Sequence, residues 1–443
     1  MLTIKTDLEN TNWLRYIVDQ FAKINLAEFQ INIISLDDMQ EYQNELYYCR
    51  KYRDDGVCIF NSSEVVPTSH VEYLDDELYI LEDTKNEMFE FSYDVFWNAF
   101  VFLSRYEEYL SEKNGKNIFS YASRHPRSDK SSFEIPIVNL LFNELEKFLK
   151  KSFPNLEFRE YQEPVIDLSH DVDYIDKTIQ LRLKQTAFNI YNTARSISQP
   201  KKFVKNMTKT IKFAFSNPSY WCFDYWESLE KSCNKRSTFY VYVKNGKKSF
   251  KSWIIDPSYD IKTNTKLQNK LKELHKDGFQ IGLHGSLNSA KDFQKLKEEK
   301  ELLKQTLGIE IKKTRQHWLS YFESVTPKSH EKLFEYDSTL GWNDMAGFRS
   351  GCASMYNPYD FENEKAYKHK IIPQVIMDSN LYDYADDVKV FLDAKKMLKR
   401  TKEVSKSTYI SISWHQRVYS SDYKWNKFYK EMLGACYFGS TTF

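Results

Sequence analysis

The stretch EPVIDLSHDVDY, residues 163–174, sets the framework for the second half of the chain. Pro164 is followed by an apolar run that is typical of a buried strand, and polar residues follow where that run ends. Because side chains alternate between the two faces of a strand, Asp171 and Asp173 share one face while His170 points to the other. The stretch therefore predicts a strand that carries two carboxylates at its C-terminal end.

Strand-like and helix-like segments alternate in the residues that follow, from STFYVYV at 237–243 to STYISISWH at 407–415. This rhythm predicts an α/β fold with a mainly parallel sheet, and about seven repeats favour a distorted (β/α)7-type barrel. We expect this domain to span 161–443. A Lys-, Gln- and Asn-rich stretch at about 177–217 predicts a helical insertion in the barrel, without an evident buried stripe.

Residues 1–160 predict a separate, smaller accessory α/β domain. The β-branched segments Phe29–Ile34 and Val57–Phe60 are typical of strands. Helical patterns follow from Ser92 to Leu110 and again from about 135 to 153. No catalytic constellation is recognisable in this domain, and the Arg-Tyr-Glu-Glu stretch that begins at Arg105 is interpreted as surface or interface chemistry.

The charge balance and the hydropathy pattern exclude several classes of protein. Sixty-three basic residues stand against 62 acidic ones, so a nucleic-acid partner is not expected. No apolar run is long enough to predict a transmembrane segment. The N-terminus lacks the apolar core of a signal peptide, and the six cysteines form no CxxC pair; a cytoplasmic protein with free thiols is therefore expected.

Polar clusters follow four of the predicted strands. In a parallel barrel the C-terminal ends of the strands share one rim, and catalytic residues are found there. The clusters are Ser-His-Asp-Val-Asp at 169–173, Leu-His-Gly-Ser at 283–286, Arg-Gln-His-Trp at 315–318 and Trp-His-Gln at 414–416.

In these clusters the chain resembles the polysaccharide deacetylases, the family 4 carbohydrate esterases, and especially bacterial relatives with an extra N-terminal α/β domain. The cluster at 169–173 is similar to a variant of the first motif of that family, in which two acids are separated by one residue. The resemblance implies that Asp171 is the catalytic base and Asp173 a metal ligand; the reverse order is the alternative.

The second and third motifs depart from the family pattern. His284 matches the first histidine of the second motif, but Asn288 stands where the second histidine is expected. Arg315 matches the arginine that orients the catalytic aspartate, and His317 stands in place of the proline of that motif. We therefore expect Asp173, His284 and His317 to hold a divalent metal, with Asn288 as the competing third ligand. Zinc is the expected ion, and cobalt, nickel or manganese are alternatives.

The remaining site residues also rest on the resemblance and on residue type. His415 occupies the place of the histidine that serves as general acid. Trp318 is a candidate for contact with the substrate. Arg349, in a loop flanked by glycines, is a candidate ligand for a phosphate or carboxylate of the substrate, and a structural ion pair is the alternative.

The resemblance implies hydrolysis of an N-acetyl, or less favourably an O-acetyl, group on a sugar during synthesis of a bacterial surface polysaccharide. The substrate is expected to be an acetylated sugar or glycan, free or linked to a nucleotide or lipid. Two other readings stay open: an inactive relic that binds carbohydrate, and a metal-dependent glycosyltransferase with an Asp-x-Asp motif. The N-terminal domain is a candidate for homodimer formation.

Overall fold

The computed structural model of the chain describes residues 1–62, 71–74, 77–80, 86, 88–91, 93–127, 130–247, 249–382 and 388–434. These residues divide into two compact units. Unit 1 contains Met1–Asp167 and Leu319–Ile412, and unit 2 contains Leu168–Trp318 and the residues from Ser413 onward. The domain boundary near residue 160 stays a prediction, because this division groups part of the C-terminal half with the N-terminal residues.

The strands are β1 Leu2–Thr6, β2 Ile31–Ser35, β3 Glu45–Cys49, β4 Val57–Phe60, β5 Val71–Leu74, β6 Glu77–Ile80, β7 Val165–Val172, β8 Thr238–Tyr242, β9 Gln280–Gly285, β10 Lys313–Gln316, β11 Tyr336–Asp337, β12 Tyr359–Asp360, β13 Lys365–Ala366, β14 Lys370–Ile371, β15 Gln374–Met377 and β16 Tyr409–Ser413. The helices are α1 Asn12–Ile24, α2 Val95–Ser104, α3 Tyr106–Lys113, α4 Ile137–Ser152, α5 Ile179–Arg195, α6 Pro200–Phe215, α7 Phe223–Ser232, α8 Phe250–Ile255, α9 Thr265–Lys276, α10 Phe293–Leu307, α11 Thr326–Leu333, α12 Asp378–Tyr382, α13 Val388–Val404 and α14 Lys427–Gly434.

The predicted α/β class is confirmed by the main sheet. It contains eight strands in the order β14-β11-β10-β9-β8-β7-β16-β15. Strands β7, β8, β9 and β10 are paired in parallel, and helices α9 and α10 connect β8 to β9 and β9 to β10. Because parallel strands end at the same edge of a sheet, residues that follow β7, β9 and β10 are brought together there.

The connecting helices of unit 2 begin and end at residues that suit those positions. Asn264 caps α9 by accepting a hydrogen bond from the amide of Leu267, and Asp292 caps α10 in the same way. Leu267, Leu271 and Leu274 lie on the buried face of α9. Gly308 ends α10 with a positive φ of 71°, a conformation that glycine adopts without steric cost.

Unit 1 contains a second, four-stranded sheet in the order β2-β1-β3-β4. Its three neighbouring pairs are parallel, and the buried faces of α1, α2 and α4 contribute to the hydrophobic core of this unit. The strand predicted at Val57–Phe60 is observed as β4. The strand predicted at Phe29–Ile34 is observed as β2, which begins two residues later than predicted.

The single helix predicted from Ser92 to Leu110 is interrupted in the structure. Ser92 lies outside the described residues, and α2 ends where Arg105 adopts left-handed backbone angles, with φ 58° and ψ 43°. The Arg105 guanidinium is buried and donates to both carboxylate oxygens of Glu323, at 2.8 and 2.6 Å. The surface alternative predicted for Arg105 is therefore wrong, because its guanidinium is buried and paired with Glu323; the interface alternative stays a prediction.

Two helices occupy the stretch predicted as a helical insertion. α5 and α6 form an antiparallel hairpin joined by a short turn, which we call the helical hairpin, residues 179–215. The two helices contact each other through polar groups: the hydroxyls of Thr193 and Thr210 lie 3.2 Å apart, and the Asn206 amide donates to Ser196 Oγ at 3.1 Å. None of the described helices is long and apolar enough to cross a membrane.

Candidate metal centre

The site is built at the C-terminal ends of adjacent parallel strands. Asp171 lies near the end of β7, and Asp173 follows that strand directly after Val172. His284 is the next-to-last residue of β9 and pairs in register with Arg315 of β10. His317 follows β10 immediately. The strand register thus determines which side chains meet at this edge of the sheet.

Three buried side chains in unit 2 direct their ligand atoms toward one another. His284 Nε2 lies 3.3 Å from Asp173 Oδ1, and His317 Nε2 lies 3.7 Å from the same oxygen. One ligand atom from each residue falls within 4.8 Å of the other two. Ligand atoms of a tetrahedral zinc site are separated by about 3.3 Å, given zinc–nitrogen distances of ~2.0–2.1 Å. Small adjustments of side chains would bring these three atoms to that spacing.

The partners of the two rings favour metal binding through Nε2. His284 Nδ1 lies 3.0 Å from the carbonyl oxygen of Arg315 and must donate to it, which leaves Nε2 of a neutral ring as a free electron-pair donor. His317 Nδ1 lies 3.2 Å from Asp256 Oδ1, the carboxylate partner that metal-binding histidines commonly have. A divalent cation such as zinc therefore fits the donor set, which consists of two imidazoles and a carboxylate.

Asp173 is buried, yet its Oδ1 atom accepts no hydrogen bond. A buried carboxylate oxygen without a donor is costly, and this one is the oxygen that faces both imidazoles. Its other oxygen, Oδ2, lies 3.2 Å from His415 Nε2 and accepts a hydrogen bond from Arg417 Nη1 at 3.1 Å. A cation held between Oδ1 and the two imidazoles would satisfy the remaining oxygen.

Asp171 and Arg315 form a fully buried ion pair beside these residues. Arg315 Nη1 donates to Asp171 Oδ1 at 2.6 Å and to Ser413 Oγ at 2.7 Å, and Nη2 donates to Ser169 Oγ at 2.9 Å. Burial is the largest single effect and would raise the pKa of Asp171, but the charges of Arg315, His284 and His415 together outweigh it and hold that pKa below its ordinary value of 3.8. Asp171 is therefore an oriented, ionised carboxylate at neutral pH.

Burial and charge act in opposite directions on the ligand residues. Burial is the largest single effect and raises the pKa of Asp173, but His317, His415 and His284 together outweigh it and hold that pKa well below 3.8. For His317, burial is the largest effect and lowers its pKa despite the nearby carboxylates of Asp173 and Asp256. The arrangement thus favours a carboxylate on Asp173 and a neutral ring on His317.

Trp318 presents a partly open aromatic surface next to His317. Its side chain is 41% exposed, and its backbone adopts a positive φ of 61°. Lys184 Nζ, from α5, lies 5.8 Å from the centre of the indole ring. Burial lowers the pKa of Lys184, while the negative charges of Asp173 and Asp256 oppose that shift. An exposed indole and an ammonium group therefore border the metal centre.

The structure also brings three residues to the site that sequence reasoning missed. Asp256, Arg417 and Lys184 contact or border the predicted ligands, and none of them lies in a motif that resembles the esterase family. Asp256 follows α8, far along the chain from His317, and Lys184 comes from the insertion. Arg417 alone carried a usable signal, since it stands two residues after His415 in the same strand-end segment.

Two neighbouring residues have other contacts. His170 lies on the opposite face of β7, where its nitrogens contact the Trp414 carbonyl oxygen at 2.8 Å and Glu230 Oε1 at 2.7 Å. Asn288, the competing third ligand, is exposed, and its amide nitrogen donates to Ser252 Oγ at 3.0 Å. These contacts favour His317 over Asn288 as the third ligand.

Arg349 is held elsewhere, inside unit 1. Its guanidinium is buried and donates to Glu108 through Nε at 3.0 Å and Nη2 at 2.6 Å, and to Ser120 Oγ at 2.6 Å. The structure therefore contains the alternative predicted from the sequence, a structural ion pair, formed by Arg349 with Glu108. A role for Arg349 in binding a substrate anion has no support, because its donors are occupied by protein groups.

Comparison with known proteins gives one family match over the N-terminal residues. Residues 2–154 match a family of unknown function, DUF7033. No curated protein sequence matches the chain.

Several solved structures are similar to parts of this chain at low sequence identity. A protein described as a polysaccharide deacetylase from Mycobacterium smegmatis has 12% sequence identity and a TM-score of 0.37, over 63% of this chain and 87% of that one. A protein from Bordetella bronchiseptica, described as a polysaccharide deacetylase involved in O-antigen biosynthesis, has 14% identity and a TM-score of 0.25, over 57% of this chain and 72% of that one.

A third similar structure is a mutant of a family 4 carbohydrate esterase pseudoenzyme with restored enzymatic activity. It has 10% identity and a TM-score of 0.24, over 65% of this chain and 73% of that one. All three similarities are too remote to assign an activity to this chain.

Proposed function

We propose that this chain is a metal-dependent hydrolase that removes an acetyl group, preferably from nitrogen, from a sugar. The observation that supports the proposal most directly is the convergence of Asp173, His284 and His317 beside the buried pair of Asp171 and Arg315. Two imidazoles and one carboxylate form a ligand set that leaves a position open for a reactant. The separate, ionised Asp171 is positioned to act as a base.

The chemistry assigned to the chain's own residues follows from their contacts. A divalent ion at this position would supply Lewis acidity toward a carbonyl oxygen and toward water. The Asp171 carboxylate accepts a proton from the attacking water, and Arg315 keeps that carboxylate oriented. As the carbon–nitrogen bond breaks, His415 donates a proton to the departing amine nitrogen. Asp173 Oδ2 lies 3.2 Å from His415 Nε2 and orients that ring.

The substrate class in this proposal is an acetylated sugar. The partly exposed indole of Trp318 offers a flat apolar surface on which a sugar ring can pack. Lys184, above that indole, is a candidate contact for a polar or negatively charged substituent. Involvement in surface polysaccharide synthesis, with a sugar linked to a lipid or nucleotide, is the finer proposal and rests on the family resemblance.

The decisive experiment distinguishes the proposed catalytic base, Asp171, from a proposed metal ligand, His284. The purified chain is treated with a chelator, reloaded with zinc or cobalt, and assayed for acetate release from N-acetylated sugars together with its metal content. We expect Asp171→Asn to reduce turnover by a factor on the order of 10²–10⁴ while the metal is retained. His284→Ala is expected to lose the metal and the activity together, because it removes a ligand.

Matched controls come from the same unit. Asp176→Asn and His275→Ala alter exposed residues of the same types and should leave both metal content and turnover unchanged. Full activity in His284→Ala would contradict the assignment. A wild-type chain that retains metal but releases no acetate would favour the Asp-x-Asp glycosyltransferase, and one that binds sugars without retaining metal would favour the inactive relic.

A further inference from the structure

The helical hairpin, residues 179–215, exposes an unusual amount of apolar surface. Of the 22 large apolar side chains that are exposed in the described residues, ten belong to it. The most exposed are Phe215 at 84% and Ile179 at 76%. Most exposed apolar residues elsewhere in the chain occur singly, as is normal for a protein surface. A contiguous exposed apolar surface indicates an interaction site.

On each helix most of the exposed apolar residues lie along one stripe. On α6, Val204, Met207, Ile211 and Phe215 follow helical spacing and are all exposed, while Phe213 faces the protein interior. On α5, a second exposed stripe contains Ile179, Leu183 and Ile190, while the exposed Phe188 and Tyr191 lie outside it. Each helix is therefore amphipathic, but its apolar stripe faces outward. The protein interior does not account for this pattern.

The charge of the hairpin is of one sign only. No acidic residue occurs between Asp176 and Asp224, although acidic and basic residues are balanced over the whole chain. Eight basic residues lie within the hairpin: Arg182, Lys184, Arg195, Lys201, Lys202, Lys205, Lys209 and Lys212. At 100° per residue, Lys201, Lys205 and Lys212 fall along one flank of the apolar stripe of α6, and all three are exposed.

The base of the hairpin is firmly attached to unit 2. Lys177, just before α5, is buried and donates to Ser216 Oγ and to Asp422 Oδ2, each at 2.8 Å. Leu181 packs in a small core cluster with Tyr174 and Tyr220. The helices that carry the exposed stripes are therefore anchored to unit 2 at one end. Their apolar side chains are exposed even though the hairpin is attached to the rest of the unit.

We propose that the helical hairpin docks on the surface of an anionic lipid bilayer. A helix with an exposed apolar stripe flanked by lysines inserts that stripe at the boundary between headgroups and acyl chains, and the lysines contact anionic headgroups. The uniform positive charge favours a lipid surface over a second copy of this chain, because two such hairpins would repel each other. Lys184, which borders Trp318, belongs to the same hairpin, so docking would hold the candidate metal centre near the bilayer.

The inference does not depend on the proposed hydrolase activity, because vesicle binding is measured without a substrate. The full chain is mixed with phosphatidylcholine vesicles or with vesicles of phosphatidylcholine and phosphatidylglycerol, and binding is measured by co-sedimentation. We expect binding to the anionic vesicles only, and a decrease as the salt concentration rises.

Two sets of variants test the two parts of the surface. Replacing Lys201, Lys205 and Lys212 by Gln together should weaken vesicle binding by a factor on the order of a hundred. Replacing Ile211 and Phe215 by Ser should weaken it about tenfold or more, because both side chains lose apolar contact with the bilayer. All five side chains are exposed, so the folded state is expected to persist, as circular dichroism and metal content can verify.

The matched controls remove the same residue types from other exposed positions. Lys147, Lys399 and Lys427 replaced by Gln, and Leu392→Ser, should bind vesicles like the wild-type chain. The proposal is overturned if the wild-type chain fails to bind anionic vesicles or if the hairpin variants bind as well as it does. It is also overturned if sedimentation shows a dimer that the Ile211 and Phe215 replacements dissociate while vesicles stay unbound, since a second copy would then cover the stripe.

Discussion

The candidate metal centre and the helical hairpin depart from the usual distribution of residues in opposite directions. At the metal centre, charged side chains such as Asp171, Asp173 and Arg315 are almost completely buried, whereas on the hairpin large apolar side chains such as Ile211 and Phe215 are exposed. Charged residues are rarely buried unless paired, and extended apolar surfaces are rarely left exposed. In both regions, a component from outside the chain, a cation or a lipid surface, would complete the arrangement.

The energetic consequences of the two departures differ. A buried charge that loses its partner costs several kcal/mol, because the remaining ion cannot be solvated. An exposed apolar side chain costs the folded state little, because it is exposed in the unfolded state as well. Substitutions of buried charges at the metal centre should therefore lower the stability of the folded chain, whereas substitutions on the hairpin should affect lipid binding with little loss of stability.

The largest effect is expected for Arg315→Met, which removes the guanidinium but keeps much of its volume. Asp171 would remain buried without its main counter-ion, and the free energy of unfolding should fall by about 3–5 kcal/mol. Urea denaturation of the metal-free chain measures this change. Acetate release should also be lost, because the catalytic carboxylate is no longer oriented.

A double variant provides the control for this experiment. Combining Arg315→Met with Asp171→Asn removes both charges, so much of the lost stability should return while turnover stays absent. If Arg315→Met alone unfolds as the wild-type chain does, the ion pair contributes nothing to stability and the contrast drawn between the two regions fails there.

An intermediate effect is expected for Asp256→Asn. Its carboxylate lies 3.2 Å from His317 Nδ1, and the loss of such a partner typically weakens metal affinity by about 10–100-fold. Competition for zinc against a chromogenic chelator measures this affinity. Asp260→Asn, which changes a partly exposed acid in the following loop, should retain wild-type affinity. Equal zinc affinities in the two variants would contradict the role of Asp256 as a partner of the metal-binding histidine.

The smallest effect concerns the stability of the hairpin variants. Replacing Ile211 and Phe215 by Ser should change the free energy of unfolding by no more than about 0.5 kcal/mol per substitution, as for other exposed positions. Thermal and urea denaturation without lipid check this expectation. A much larger loss of stability would mean that the apolar stripe is packed against protein in solution. The hairpin would then resemble a protein core instead of an exposed surface.

Much of the candidate site could be predicted from the sequence, because its residues directly follow or end strands. The period of two along β7 put Asp171 and Asp173 on one face, opposite His170, and the strand ends of β9 and β10 supplied His284 and His317. The structure brings these side chains together, and their catalytic and ligand roles remain proposals. The sequence could not decide whether Arg349 binds substrate or forms a structural ion pair. Its partner Glu108 is distant in the chain, and no sequence pattern near Arg349 indicates that pairing.

Other features depended on contacts between residues that are distant in the chain. Asp256 and Lys184 reach the metal centre from a loop and from the insertion, and no spacing in the sequence connects them with His317. At the break between α2 and α3, the side chain of Arg105 pairs with Glu323, which is distant in the sequence. For the hairpin, the sequence predicted helices but not the side on which their apolar stripes lie.

From the order of its residues alone, this chain specified the α/β class, the succession of strands and helices, and the polar residues placed at the strand ends, because these depend on local periodicity. The tertiary structure decided the preference for His317 over Asn288 as the third ligand candidate, the partners of the imidazoles, the burial of Arg105 and Arg349, and the outward apolar face of the hairpin. The physical reason is that burial, charge pairing and ring orientation depend on which distant side chains become neighbours, and local propensity carries no record of that.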